Sequence, residues 1–161
     1  MRDGRPGIAQ ILKYILALLA AAYIVFLLIF AGGSTRAFED VKADMSPVLE
    51  ASDMVERDGQ ALKRSFGLNS RDYSGVMYYS ASSALSAEEV LVIRVNSTDQ
   101  IDRVLEAVKA RILQRTGEYG DYLPEQTELL EHAVQSVRGK YIFFAVSADA
   151  ARYRTAFDES L

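Results

Sequence analysis

The chain has 161 residues, half of them hydrophobic, with 18 Lys and Arg against 22 Asp and Glu. The net charge of −4 argues against nucleic acid as a partner, because proteins that bind nucleic acid present basic surfaces. The absence of cysteine excludes disulfides, a thiol nucleophile, thiolate metal sites and a lipid-modified cysteine as a membrane anchor.

An uncharged apolar run lies near the start of the chain. Residues 14–35 are 22 consecutive positions without a charge, which as a helix would measure about 33 Å at about 1.5 Å per residue. That length crosses a hydrocarbon core of about 30 Å, so we predict a transmembrane helix over 14–34 with the lipid bilayer as its partner. A cleaved signal peptide is the alternative, because Ala31, Gly32 and Gly33 are small, although signal peptides have shorter apolar regions of about 7–15 residues.

The charges on either side of this run predict its orientation. Arg2, Arg5 and Lys13 precede it, whereas a mixed and slightly acidic set follows it. Short flanks rich in Lys and Arg stay in the cytoplasm, so residues 1–13 are predicted to be a cytoplasmic tail. The remainder would be extracytoplasmic, held at the plasma membrane by a single pass. Without residues 1–35, the chain carries 15 Lys and Arg against 21 Asp and Glu, a net charge of −6.

Residues 35–70 are predicted to be a juxtamembrane amphipathic helical segment. Apolar side chains follow a 3-and-4 spacing at Phe38, Val41, Met45, Val48, Val55, Leu62 and Phe66. Because Pro47 lacks a backbone N–H, we expect the helix to break and restart there with Ser46 as its N-cap. Ser52 and Gly59 interrupt the apolar stripe, which favours a helix folded onto the domain over a dimerising heptad stalk.

Residues 71–161 are predicted to be an α+β domain with two β-hairpins. The first hairpin pairs 73–82 with 90–95, and the second pairs 134–137 with 141–146 around a glycine turn. The second strand of each hairpin is almost wholly apolar. Such strands are typically covered on both faces, so we expect both to be central in the sheet.

Three helices are expected to accompany these strands. Ser97 and Gln100 predict a capping box at the start of a long helix that ends at Gly117. A short helix is expected over 124–130 and a terminal helix over 148–160. The sequence therefore predicts a small antiparallel sheet of about four strands packed with helices.

Several stretches resemble a known family. They are YYSASSALSAEEVLVIRV, the helical sequence VLEAVKARILQR, Tyr122-x-Pro124-x-Gln126, and GKYIFFAVS from Gly139 to Ser147. Over about residues 37–160, the chain resembles the domain-of-unknown-function family numbered 4358. The resemblance implies an extracytoplasmic domain of Gram-positive bacteria, tethered by a lipid-modified cysteine or by an N-terminal helix. It implies no activity, and the absence of cysteine departs from the lipoprotein type.

Few residues indicate catalytic or metal chemistry. Glu128 lies four residues before His132, the single histidine, so the two could share a helix face as a weak polar site. A metal would need further ligands, and an exposed helix-end histidine beside a carboxylate is the simpler interpretation. Glu88 and Glu89 are adjacent and would point to opposite faces of a strand, so they cannot act as a carboxylate pair. We expect no catalytic residues, bound metal or cofactor.

Tyrosines are the stronger candidates for binding. Tyr78 and Tyr79 lie in one segment and Tyr119 and Tyr122 in another, and the two segments could meet at one end of the sheet. Amphipathic aromatic surfaces favour contacts with protein or glycan partners. The alternative is that these tyrosines pack between the sheet and a helix, with their hydroxyls reaching solvent.

These features together predict a membrane-anchored extracytoplasmic protein that binds or scaffolds at the cell envelope. Its partner would be an envelope protein or a glycan, and not nucleic acid. The alternatives are an envelope hydrolase that uses the region of Glu128 and His132, and a ligand-sensing subunit of a membrane complex.

Overall fold

The computed structural model describes residues 8–31, 35–52, 54–120 and 122–161, and within the first range it describes the side chains of residues 13–24. The chain divides into two compact units, Met1–Gly33 and Ser34–Leu161.

The described part of the first unit is helix α1, over Ile8–Ala31. Its described apolar side chains are exposed. Across the residues described, no helix combines the length and the apolar composition that a membrane crossing requires. Residues 1–7 of the predicted cytoplasmic tail, and residues 32–34 at the end of the predicted span, lie outside the described residues.

The second unit contains a five-stranded antiparallel sheet, and its α+β class is as predicted. The strands are β1 (Met54–Glu56), β2 (Gly75–Ala81), β3 (Glu89–Arg94), β4 (Val134–Arg138) and β5 (Tyr141–Val146). They are ordered β1–β2–β3–β5–β4, and every neighbouring pair is antiparallel. The pairs β2–β3 and β4–β5 confirm the two predicted hairpins. Strand β1 is an additional strand, so the prediction of about four strands was one too few.

Helices cover both faces of this sheet. They are α2 (Phe38–Glu50), α3 (Gly59–Phe66), α4 (Ile101–Tyr119), α5 (Pro124–Glu131) and α6 (Ala150–Glu159). Helices α2 and α6 pack against each other on one face, and α3, α4 and α5 lie on the other. Each face buries its own hydrophobic cluster, so the sheet is the middle of three layers.

The middle strands are buried on both faces, as their apolar sequences predict. In β3, Leu91 and Ile93 point towards α3 and α4, whereas Val90 and Val92 point towards α2 and α6. Successive side chains of a strand point to opposite faces, so a strand covered on both sides needs apolar residues at consecutive positions. Every residue of β5 is buried in the same way.

The segment 35–70 differs from its predicted form. Helix α2 continues past Pro47, so the predicted break and restart with Ser46 as N-cap is wrong. Met45 and Leu49, on either side of the proline, are fully buried. We infer that this burial outweighs the backbone hydrogen bond that proline cannot donate.

Strand β1 interrupts the same segment. The predicted helical stripe placed Val55 inward, but this side chain is 44% exposed at the edge of the sheet. Three residues are too few to display the alternation that marks a strand, so the apolar periodicity of the flanking helices concealed it. The other side chains of the stripe are buried or partly buried: Phe38, Val41, Met45, Val48, Leu62 and Phe66.

Helix α4 begins as predicted and ends slightly later. The capping box of Ser97 and Gln100 is present and leads through a 3₁₀ turn into the helix. The helix ends at Tyr119 and not at Gly117, because Gly120 adopts a positive φ of 42° that side-chain-bearing residues rarely take. A Cβ at Gly117 would point into open space. Helices α5 and α6 lie where the short and terminal helices are predicted.

An aromatic stack closes one end of the sheet. Gly75, Arg94 and Tyr141 lie side by side on three neighbouring strands. The Phe38 ring stacks on the Tyr141 ring with centroids 6.4 Å apart, and it covers Gly75 so closely that a Cβ there would lie 2.1 Å from Phe38 Cγ. The Arg94 guanidinium lies over the Tyr141 ring at 5.7 Å.

The segment that leads into α2 and the end of α6 meet at this same end of the sheet. The Tyr141 hydroxyl donates a hydrogen bond to the Arg36 carbonyl at 2.9 Å. The Arg36 guanidinium donates to the Ser160 carbonyl at 2.7 Å. Arg36 and Ser160 are therefore both held beside the aromatic stack.

Candidate functional site

The serine-rich connection between β2 and β3 lines a cleft of about 300 Å³. The serines of the cleft are Ser65, Ser80, Ser82, Ser83 and Ser86. Its charged side chains are Arg57, Arg64, Arg111, Arg115, Glu88 and Glu89. The cleft therefore has an excess of two positive charges, in a part of the chain whose net charge is −6.

Two helices direct three of these arginines into the cleft. Arg111 and Arg115 lie one turn apart on α4, in the row that begins with the buried residues Val104 and Val108. Residues three or four apart share a helix face, so the face that packs on the sheet presents arginines at its C-terminal end. Arg64 lies on α3, which packs beside α4.

Glu89 is the buried charge of the cleft, with only 1% of its surface exposed. Arg111 Nε lies 3.1 and 3.3 Å from its two carboxylate oxygens, and Arg111 Nη2 lies 3.1 Å from Oε2. The Tyr78 hydroxyl donates to Glu89 Oε2 at 3.0 Å and lies 3.2 Å from Ser65 Oγ. These hydrogen bonds offset the cost of removing the carboxylate from water.

This arrangement shifts the ionisation of two groups. Burial, reinforced by the negative charge of Glu89, raises the pKa of the Tyr78 hydroxyl. Burial alone would lower the pKa of Arg111, but the hydrogen bonds and charge of Glu89 outweigh it and raise that pKa. Arg111 is thus a permanent cation whose charge is matched by a carboxylate.

Arg115 ties α4 to the serine-rich connection. Its Nη1 pairs with Glu118 at 2.9 Å, and its Nη2 donates to the Ser86 carbonyl at 2.8 Å. Nη2 also contacts the Tyr119 hydroxyl, and the guanidinium lies 4.4 Å from the centroid of the Tyr119 ring. Arg115 Nε is buried and has no hydrogen-bond partner among the described residues. The side chain therefore forms a fixed wall of the cleft.

Arg57 and Arg64 differ in how firmly they are held. Arg57 Nε donates to Ser80 Oγ and Arg57 Nη2 donates to the Ala81 carbonyl, each at 2.8 Å. The Arg64 side chain is exposed and forms no hydrogen bond or ion pair with any residue that the structure describes. Its guanidinium thus has all of its donors available to another molecule.

The four tyrosines predicted as an interaction patch do not share an exposed surface. Tyr78 and Tyr79 are 3% and 1% exposed and are buried on opposite faces of the sheet. Tyr119 is 4% exposed, whereas Tyr122 is 92% exposed. The alternative interpretation, tyrosines packed between the sheet and a helix, describes how Tyr78 and Tyr79 pack, because neighbouring strand residues alternate between faces. The Tyr78 hydroxyl differs from that interpretation, since it donates to the buried Glu89 and does not reach solvent.

Glu128 and His132 lie at the end of α5, and both are exposed. The backbone N–H of His132 donates to the Glu128 carbonyl at 3.1 Å. Within the described ranges, no group of three or more His, Cys, Asp or Glu is placed to hold a metal ion. Among the residues that the structure describes, no third metal ligand therefore joins these two side chains.

Glu88 and Glu89 have different partners. Ser147 donates to Glu88 Oε1 at 2.7 Å, and Arg111 pairs with Glu89. Strand β3 begins at Glu89, so Glu88 belongs to the preceding connection, and both residues line the cleft.

Sequence reasoning missed the arginines of the cleft. One available signal was the i,i+4 spacing of Arg111 and Arg115 in line with the apolar stripe of their helix. Arg57 and Arg64 offered no such signal, because only the packing of α3 against α4 brings them to the same cleft.

The family model described as Domain of unknown function (DUF4358) matches residues 48–147, more than half of the chain. The matched range contains all six charged residues of the cleft. No curated protein and no solved structure matches the chain. From the match over 48–147, together with the serine-rich connection and the central strands that first carried the resemblance, the chain belongs to this family, Domain of unknown function (DUF4358).

Proposed function

We propose that this chain is a single-pass, membrane-anchored extracytoplasmic module of the cell envelope that binds an anionic group in the arginine-lined cleft. The observation that carries the proposal is the imbalance of ion pairs. Arg111 pairs with Glu89 and Arg115 pairs with Glu118, whereas Arg57 and Arg64 form no ion pair within the described residues. Two guanidinium groups therefore face the cleft without an ion-pair partner, and Glu88, the other carboxylate that lines it, accepts a hydrogen bond from Ser147.

Guanidinium groups suit this role. Their planar array of donors forms two parallel hydrogen bonds with a carboxylate or a phosphate. Serine hydroxyls in the same cleft can donate to further oxygens of such a group. The anionic group can belong to an envelope protein or to a glycan, the two partners predicted for the domain.

The buried carboxylate of the cleft is better suited to a structural role than to hydrolysis. Glu89, its buried carboxylate, is fully engaged by Arg111 and by Tyr78. A general base needs a free lone pair directed at a reacting group. Glu89 therefore serves to hold the cleft in shape.

Removal of Arg64 tests the cleft directly. We expect Arg64→Ala in the full-length protein, purified in detergent, to weaken affinity for inorganic phosphate several-fold to about tenfold, because one charge-assisted contact is lost. Folding should be unchanged, since this side chain is exposed and makes no internal hydrogen bond. Isothermal titration calorimetry with phosphate measures the affinity.

Lys63→Ala is the matched control. Lys63 is the adjacent residue on α3, is exposed, and does not line the cleft. The Lys63→Ala variant should leave phosphate affinity nearly unchanged, although it removes one positive charge just as Arg64→Ala does. Equal weakening by both variants would indicate general electrostatic attraction, and no phosphate binding by the unaltered protein would make the cleft proposal wrong.

The membrane anchor is a separate part of the proposal. It is supported by the uncharged run 14–35 of the sequence, which as a helix would measure about 33 Å at about 1.5 Å per residue. We expect the protein to stay in membranes during alkaline carbonate washing, and the second unit to be digested by protease added outside intact spheroplasts. Leu18→Arg/Leu19→Arg should release it, because charges in an apolar span are costly. Release of the unaltered protein, or protection from external protease, would refute the anchor or its orientation.

A further inference from the structure

A second cleft, of about 680 Å³, adjoins the arginine-lined cleft. The residues that line both clefts are Ala81, Ser82, Ser83, Ser86 and Glu88. The rest of the second cleft is formed by Glu50 at the end of α2, by Ser52 just after it, and by Met54 and Val55 of the edge strand β1. The serine-rich connection is therefore a wall that the two clefts share.

The two clefts have opposite charge. The charged side chains among the described lining residues of the second cleft are Glu50 and Glu88. Glu50 Oε1 lies 3.4 Å from the Tyr79 hydroxyl, and Glu88 Oε1 accepts from Ser147 at 2.7 Å. The other oxygen of each carboxylate accepts no hydrogen bond, and neither glutamate forms an ion pair, within the residues described. Two carboxylate oxygens are thus available to a cation.

We propose that the two clefts form one site for a short zwitterionic peptide or amino-acid derivative. Its anionic end lies among the arginines, and its ammonium end lies between Glu50 and Glu88. The proposal rests on the anion-binding function of the first cleft and specifies the ligand of that site. Met54 and Val55 supply an apolar wall for small side chains, and the serine hydroxyls can hydrogen-bond peptide groups between the two ends.

An ammonium group fits the second cleft better than a metal ion. Calcium takes about six to eight oxygen ligands, and no cluster of three His, Cys, Asp or Glu capable of holding a metal occurs among the described residues. An ammonium group has three donors, which two carboxylate oxygens and one serine hydroxyl can accept. A peptide of three residues extends about 10 Å, at about 3.3–3.6 Å per residue, so its ends can be recognised separately.

The test uses three probes and the full-length protein in detergent. Trialanine carries both charges, N-acetyl-trialanine lacks the ammonium charge, and trialanine amide lacks the carboxylate charge. We expect calorimetry to show trialanine binding about tenfold more tightly than either blocked peptide. Glu50→Gln should abolish the advantage of trialanine over the acetylated peptide. Glu39→Gln, an exposed site on the same helix that lines neither cleft, should preserve it.

The outcomes separate this proposal from the function on which it rests. Equal affinity for trialanine and the acetylated peptide overturns the ammonium subsite but leaves anion binding intact. Equal affinity for trialanine and its amide overturns the assignment of the carboxylate to the arginines. Binding of inorganic phosphate without binding of any peptide overturns the zwitterionic site alone, whereas failure of phosphate and peptides together overturns both proposals.

Discussion

Replacing Glu89 with alanine is expected to lower the free energy of unfolding by about 3–5 kcal/mol, a large share of the stability of a domain of this size. The side chain of Glu89 is 2% exposed and that of its partner Arg111 is 12% exposed. Removing the carboxylate leaves a buried guanidinium without its counter-charge and the Tyr78 hydroxyl without its acceptor. Urea unfolding of the full-length protein, followed by tyrosine fluorescence and circular dichroism, measures the loss.

A surface ion pair provides the comparison. Glu56 and Lys42 approach to 2.5 Å, closer than Glu89 and Arg111, but their side chains are 45% and 33% exposed. Because exposed pairs contribute about 0–1 kcal/mol, Glu56→Ala should cost far less than Glu89→Ala. The loss of stability for Glu89→Gln should lie between the losses for Glu56→Ala and Glu89→Ala, since the amide oxygen still accepts a hydrogen bond. Similar losses for Glu56→Ala and Glu89→Ala would mean that burial does not decide the strength of these pairs.

Gly75→Ala is expected to destabilise the second unit by about 1–3 kcal/mol, although the change adds a single methyl group. The new Cβ would lie 2.1 Å from Phe38 Cγ, so the ring must leave its position over the strand and its stack on Tyr141. Gly117→Ala is the opposite case, because its Cβ points into open space within helix α4. It should stabilise the protein by about 0.5–1 kcal/mol. Unfolding curves of the two variants should therefore move in opposite directions.

A double-mutant cycle tests whether the Phe38 ring is the cause of the destabilisation by Gly75→Ala. Phe38→Ala costs stability by itself, but it removes the ring that the new methyl group would strike. In that background Gly75→Ala should cost little or become favourable, giving a coupling energy of about 1–3 kcal/mol between the two sites. Additive effects would show that Gly75 is required for another reason.

Local sequence patterns were sufficient for the elements whose causes are local. The capping box of Ser97 and Gln100 satisfies backbone donors within four residues, so it needs no tertiary information. The apolar sequences of strands β3 and β5 likewise predict that both of their faces are covered. The period of two could also have separated Tyr78 from Tyr79, since neighbours on a strand cannot share a face.

The cleft depends on packing that no local pattern contains. Arg57 precedes α3 and Arg64 lies within it, and both reach the cleft because α3 and α4 lie on the same face of the sheet. The buried state of Glu89 follows from its partner Arg111, which is 22 positions away in the chain. From the local sequence alone, a buried glutamate at the start of a strand cannot be distinguished from a solvent-exposed one. Strand β1 was concealed for a different reason, because its three residues lie between two amphipathic helices.

Arg36 and Ser160 meet beside Tyr141, at the end of the sheet opposite the cleft. Tyr141 faces Arg94 at the end of β3, whereas the cleft begins at Glu89, at the start of the same strand. The five steps between these β3 residues span about 17 Å at about 3.4 Å each. A reporter fused to the chain after α6 would therefore lie at the end of the sheet where Arg36 and Tyr141 lie. The cleft is at the other end of β3, so such a reporter would leave it uncovered.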